Sequence, residues 1–223
     1  MTEQCLFHNK DGGLIPTSSL QIKAKDLFVL PCHIKDIRSF IEKHHYSKNI
    51  NGVKITYCFK VMYQDELIGG VLFGGMATTA WKKFAKAEDK VLELRRLVLL
   101  DKACKNSESR VIGYCLKWIE KNNDKIEVIV SYADPKYGHS GIIYKASNFE
   151  YLGVSGKDNG FFDPETGKTY HSRALRVKYK GDYKPFVKML REKLINGVLI
   201  PIELPSKHCY IFKLRKRIVD DSN

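Results

Sequence analysis

Apolar positions recur along this chain in two rhythms, and the switches between them mark the elements. DLFVLPC (26–32) is a short apolar run that suits a first strand. From His33 to Tyr46 the apolar positions Ile34, Ile37, Phe40, Ile41 and His44 or His45 return at helical spacing. Residues 53–63 and 67–75 read as a hairpin around Gln64-Asp65-Glu66. Its second arm, LIGGVLFGG, carries four glycines, which weaken a strand unless a backbone or ligand approaches closely. VLELRRLVLL (91–100) is a strand interrupted by charge only at Glu93, Arg95 and Arg96. A helix over 107–122 gathers Val111, Tyr114, Cys115, Trp118 and Ile119 on one face. A strand at 126–132 and a short helix at 140–148 follow. Tyr151-Leu152-Gly153 begins another strand, and Ala174 to Val177 belongs to a later one. Between them GKDNGFFDPETGKTYH reads as a long turn-rich loop. An amphipathic helix (183–195) and a strand (208–214) close the chain, and residues 1–20 read as an irregular lead-in broken by Gly12, Gly13 and Pro16.

Strands alternating with helices around a hairpin predict an α/β fold. The sheet is expected to be mixed and mostly antiparallel, with helices on both faces, in a single domain over 1–223. In open α/β sheets ligands bind beyond the carboxyl ends of the strands. Asn106, Ser107, Ser109, Ser131, Tyr132 and Asp134 fall there, all within the stretch from Val91 to Gly153.

Composition narrows the class. The chain has 223 residues, 43% of them apolar, which excludes a mainly disordered protein. No apolar run approaches the ~20 residues that span a bilayer, and the N-terminus does not read as a signal peptide. None of the six cysteines pairs at CxxC spacing, so no structural zinc site is expected, and reduced thiols in a cytoplasmic protein are. The formal charge is +13, and it is concentrated. From Lys168 to Arg217 there are fourteen Lys or Arg residues against three Asp or Glu. A phosphate-backbone partner accounts for such a tract through counterion release, with Lys178, Lys180, Arg215, Lys216 and Arg217 as candidate contacts. A solvated, solubilising face is the plainer alternative.

Several short motifs, in this order, resemble those of one family. They are His45-Tyr46-Ser47, Glu93-Leu94-Arg95-Arg96-Leu97-Val98, Asn106-Ser107-Glu108-Ser109, and Ser131-Tyr132-Ala133-Asp134 running into Gly141–Phe149. Lys207–Phe212 extends the series. Their order resembles the bacteriophage Mom-type DNA modification proteins, within the acetyltransferase-like (GNAT) fold. The resemblance implies an enzyme that adds a carbamoylmethyl group to N6 of adenine in phage DNA, in the bacterial host cytoplasm, shielding that DNA from restriction. It implies double-stranded DNA as a partner, and acetyl-CoA or another small acyl or glycyl compound as donor. It also implies that His45, Tyr46, Asp134 and Tyr144 form the catalytic set.

The residues give each of these assignments its chemistry and a competing one. Asn106, Ser107 and Ser109 open a helix, where free N–H groups suit an anion, or they simply cap it. Acyltransferases place a glycine-rich loop there; this loop has no glycine before Gly113, which speaks against routine coenzyme A use. Arg95 and Arg96 are expected on opposite faces of their strand. Arg95 would share its face with Glu93, leaving Arg96 as the freer group for a cofactor. Ser131 is placed with Arg96 in the donor set. Asp134 is either a proton acceptor for the N6 amine or a turn starter before Pro135. Tyr144 either protonates a leaving group or packs. Tyr46 suits stacking on an extruded base, while His45 suits acid–base work or the helix end. No spacing demands a metal, and none is assigned. Cys104 and Cys209 read as structural. An N-acyltransferase acting on a protein, RNA or small-molecule amine, and a non-catalytic DNA-binding protein, are the alternative functions.

Overall fold

A computed structural model describes residues 21–215 except 51, 53, 78 and 157, together with the short strands Phe7–His8 and Leu14–Ile15. The lead-in expected over 1–20 and the candidate contacts Lys216 and Arg217 therefore lie wholly or largely outside the described residues. The chain divides into two compact units. The first runs up to Tyr132 and adds Gly141–Tyr151 and the chain from Tyr210 onward; the second holds Ala133–Ser140 and Leu152–Cys209.

The main sheet is built from β1 (Phe28–Pro31), β2 (Ile55–Tyr63), β3 (Glu66–Gly74), β4 (Val91–Leu99) and β5 (Val128–Ala133). Two strands later in the chain join it: β6 (Glu150–Val154) and β10 (His208–Lys213). The spatial order is β1-β2-β3-β4-β5-β10-β6. From β1 to β4 every neighbour is antiparallel, and β4 and β5 are parallel. Helices α1 (Ile34–His44) and α2 (Ser107–Asn122) lie on opposite faces. Ile37 and Ile41 of α1 pack on Cys58 and Leu72, which face each other across β2 and β3. Trp118 of α2 meets Tyr57 and Phe59, whose side chains point the other way. The mixed, mostly antiparallel sheet with helices on both faces is thus as the polarity pattern predicts.

Local chemistry sets the element ends. The Asp36 carboxylate accepts the His33 N–H at 3.0 Å, closing the first turn of α1. Asn106, at φ 72, turns the chain into α2. Gly74 is required by close approach, since a Cβ there would collide with the Lys54 carbonyl. That close backbone contact is the reason a glycine ends this otherwise apolar arm.

The second unit corrects two sequence expectations. The stretch read as a turn-rich loop is a hairpin of β7 (Asp158–Asp163) and β8 (Lys168–His171), and β9 (Ile200–Leu204) extends it in the order β8-β7-β9. Its many polar and glycine residues hid a strand that pairs with β8 on one side and β9 on the other. The strand expected at 174–177 is instead a 3-10 turn, Ser172–Arg176, that inserts Leu175 beside Leu190 and Leu199. Leu190 belongs to α4 (Pro185–Ile195), which begins two residues later than expected. Asp163, fully buried, pairs with Lys193 at 2.8 Å. Among the described residues no helix is long and apolar enough to cross a membrane.

Candidate functional site

The parallel pairing of β4 with β5 covers Val91/Val128, Leu92/Ile129 and Glu93/Val130, although both strands continue beyond it. Past Glu93 the register of β4 against β3 shifts as well. Leu72 faces Arg96 while Phe73 faces Leu94, so Arg95 is the extra residue of a bulge. The bulge overrides the period-two expectation that the two arginines face opposite ways. Arg96 aligns with Leu72, on the α1 side of the sheet, and its Nη2 donates to the Asn49 carbonyl at 3.3 Å. Arg95 donates to Glu93 at 2.6 Å, with both side chains about 15% exposed. Arg95 is therefore a structural ion pair.

Arg96 is held by its Nη1 on the Arg95 carbonyl at 2.7 Å, and the buried Nε of each arginine has no hydrogen-bond partner among the described residues. Burial lowers its proton affinity, yet a guanidinium stays charged at any working pH. A fixed, incompletely satisfied cation at the end of a splayed strand pair can stabilise a carbonyl, carboxylate or phosphate oxygen.

Tyr144 sits on the five-residue helix α3 (Ile142–Ala146) and hydrogen-bonds Ser131, which is fully buried at the end of β5. The Ser131 Oγ lies 3.5 Å from the Leu94 carbonyl. Burial raises the Tyr144 pKa above the usual phenol value, and Ser131 offsets part of that rise. Tyr46, Glu93 and Tyr210 push it the same way as burial. Tyr144 is thus a neutral phenol through physiological pH, a proton donor rather than a base. Its ring rests between Phe149 at 5.6 Å and Tyr210 at 5.4 Å.

Tyr46 is felt electrostatically by both Tyr144 and Arg96, and its ring is 44% exposed. His45 beside it is only 4% exposed, with ring centroids 4.1 Å apart. The Ser47 N–H donates to His45 Nδ1 at 3.1 Å, so the neutral ring carries its proton on Nε2. This arrangement suits His45 to positioning Tyr46.

The first unit therefore gathers Tyr46, Arg96, Ser131 and Tyr144, with His45 behind Tyr46. Asp134 belongs to the second unit, where its carboxylate accepts the Lys136 N–H at 3.1 Å and pairs with Lys207 at 3.0 Å. At the start of α2, Ser107 is fully buried, with its Oγ 3.6 Å from the Cys104 sulfur. Ser109 donates to the Asn106 carbonyl at 2.9 Å, and Asn106 makes no side-chain cap. Sequence reasoning missed Asn49, and it gave no individual role to Ser47 or Tyr210, which lie in its motifs. Nor did it give one to Gly141, at φ 76, where a Cβ would collide with the Tyr210 ring. The glycine just before α3 was the available signal. Among the described residues no group of three His, Cys, Asp or Glu side chains is placed to hold a metal.

Of the basic candidates, Lys178 lies over the Tyr183 ring at 5.0 Å and Arg191 lies 4.5 Å from the same ring. Lys180, at φ 50, sits in the turn between Lys178–Tyr179 and Asp182–Tyr183. Arg215 bonds the Glu120 carboxylate through its backbone N–H at 2.8 Å. Lys188, Lys193, Lys207 and Lys213 are each tied to an acid. Arg173 and Arg176 are exposed and have no ion pair among the described residues.

A mixed seven-stranded sheet in which β4 and β5 pair in parallel over only three residues, with Tyr144 beside their ends, is an acetyltransferase-like arrangement. A model of the Mom protein family matches residues 26–222, and the chain belongs to that family. It is 26% identical over 200 residues to the methylcarbamoylase mom of Escherichia phage Mu, covering 87% of this chain and 78% of that protein. Solved structures resemble it loosely. A Bacillus subtilis acetyltransferase in complex with CoA is 10% identical with a TM-score of 0.44, over 85% of this chain and 99% of that one. An N-acetyltransferase from Staphylococcus aureus is 10% identical with a TM-score of 0.44, over 84% and 97%.

Proposed function

We propose that this protein is a phage DNA modification enzyme that adds a small carbamoylmethyl-type group to N6 of adenine, protecting the DNA from host restriction. The observation that carries this reading is membership of the Mom family over nearly the whole chain, in a stretch that includes Tyr46, Arg96, Ser131 and Tyr144. In the reaction the N6 lone pair forms the new N–C bond, the donor's leaving group departs, and one N6 proton is lost. Arg96 holds the donor's polarised oxygen. Tyr144, neutral and half-buried, gives its proton to the leaving group. Tyr46, exposed and backed by His45, stacks on the extruded base. The N6 proton passes to water. The donor is a small activated acyl or glycyl compound.

Expression in a bacterial host followed by digestion of its DNA to nucleosides and mass spectrometry tests this directly. A modified deoxyadenosine is expected. Unmodified deoxyadenosine from cells rich in folded protein and its small metabolites would defeat the reading. Arg96→Lys keeps the charge but loses the planar fork that grips both the Asn49 and Arg95 carbonyls. It should lower the modified fraction about tenfold or more. An undiminished yield would remove Arg96 from the donor site.

The exposed cations of the second unit serve the phosphate backbone in this reading. Replacing Arg173 and Arg176 together by Ala should weaken non-specific duplex binding and flatten its salt dependence by about one unit of slope per lost phosphate contact. Titrations at several salt concentrations measure it, and an unaltered slope would place the DNA elsewhere.

A further inference from the structure

We propose that the groove between Lys25–Leu30 and the outer side of α2 binds a nucleotide unit. In this arrangement its phosphate sits on Lys25, Arg110 and Lys117, and its ring lies over Gly113 beside Tyr114. The groove has a volume of about 700 Å³, within the usual range for small-ligand sites. Its cations are all exposed, none makes an ion pair among the described residues, and no carboxylate lines the groove. Arg110, Tyr114 and Lys117 fall at i, i+4 and i+7, so one helix face presents charge, ring and charge in turn.

Gly113 supplies the independent observation. It lies in the interior of α2, where glycine weakens a helix relative to alanine. A Cβ there would meet nothing within 4 Å, so no packing in the protein explains its absence. A flat ligand approaching the helix backbone does. Tyr114, 42% exposed, offers its ring for stacking next to two cations, the combination that holds bases and phosphates together. An added peptide strand fits less well, because Pro31 removes one N–H donor from the short adjacent edge of β1. The groove is separate from the residues proposed for adenine modification, and its test needs no turnover.

The nucleotide could be a soluble mononucleotide or one residue of a nucleic-acid strand. Binding of fluorescent ATP and of a labelled eight-nucleotide single-stranded DNA to the full chain separates them. Gly113→Leu fills open space without altering charge, and its thermal melting should stay near that of the wild type. It should weaken one of the two probes about tenfold or more, as should Arg110→Glu combined with Lys117→Glu. Loss of ATP binding identifies a soluble nucleotide; loss of oligonucleotide binding alone identifies a strand. If Gly113→Leu leaves both affinities unchanged, the proposal is overturned, whatever the charge variants do.

Discussion

Tyr144→Phe should lower the yield of modified adenine by about a hundredfold or more, the usual scale of losing a positioned proton donor. The fold should survive, because phenylalanine keeps the ring contacts with Phe149 and Tyr210. The pH dependence gives the sharper check. Burial raises the Tyr144 pKa above the ordinary value of ~10, so the phenol is predominantly protonated below pH ~9 in both the folded and the unfolded chain. The defect of the variant should therefore be a constant factor from pH 6 to 9. An inflection inside that range would mean that Tyr144 acts as a phenolate, contrary to the proposed role. Stability should respond only at the alkaline end. The raised folded pKa contributes nothing that varies below pH ~10, and its contribution is lost as pH rises from there toward the folded value. Above pH ~10 the wild type should thus lose more stability than Tyr144→Phe, as urea unfolding at stepped pH will show.

The second large effect is on stability. Gly141→Ala should cost about 3 kcal/mol, combining a left-handed backbone of about 1–2 kcal/mol with an overpacked contact of about 1–3 kcal/mol. Gly138→Ala is the matched control. Gly138 has nearly the same φ of 73, but its Cβ would meet nothing within 4 Å. It should cost only the backbone part, about 1–2 kcal/mol. Urea midpoints for the two variants decide the matter, and equal losses would show that Tyr210 does not crowd Gly141. The consequence reaches the site, because Gly141 starts α3 and its carbonyl accepts the Tyr144 N–H at 3.0 Å. A displaced Gly141 moves the proposed proton donor, so the variant should also lose modification.

Much of the layout was legible beforehand because burial imposes a period. α1 and the strands β1 to β5 follow apolar spacing directly, and each begins or ends within about two residues of the expected position. The β7–β8 hairpin was not legible. Asp158 to Asp163 is rich in polar and glycine residues, and one of its two pairing partners, β9, lies far along the chain. The pairing of Arg95 with Glu93 was foreseen as an alternative from their spacing, because period two holds up to the bulge. The bulge itself was not, since it arises from how β3 and β4 align and leaves no local mark in VLELRRLVLL.

The sequence by itself determined a mixed α/β fold, the family, and a concentration of positive charge after Lys168. Apolar period, motif order and composition are properties of the chain and need no partner segment to be read. Only the tertiary structure decided which of the polar residues at the strand ends can act. It buried Ser107, tied Asp134 to Lys207, and turned Arg96 onto the α1 side with an unsatisfied nitrogen. It also set Tyr144 against Ser131, with burial raising its pKa above the ordinary phenol value. Those outcomes depend on desolvation and hydrogen bonding between residues tens of positions apart, and neither is encoded in any local pattern.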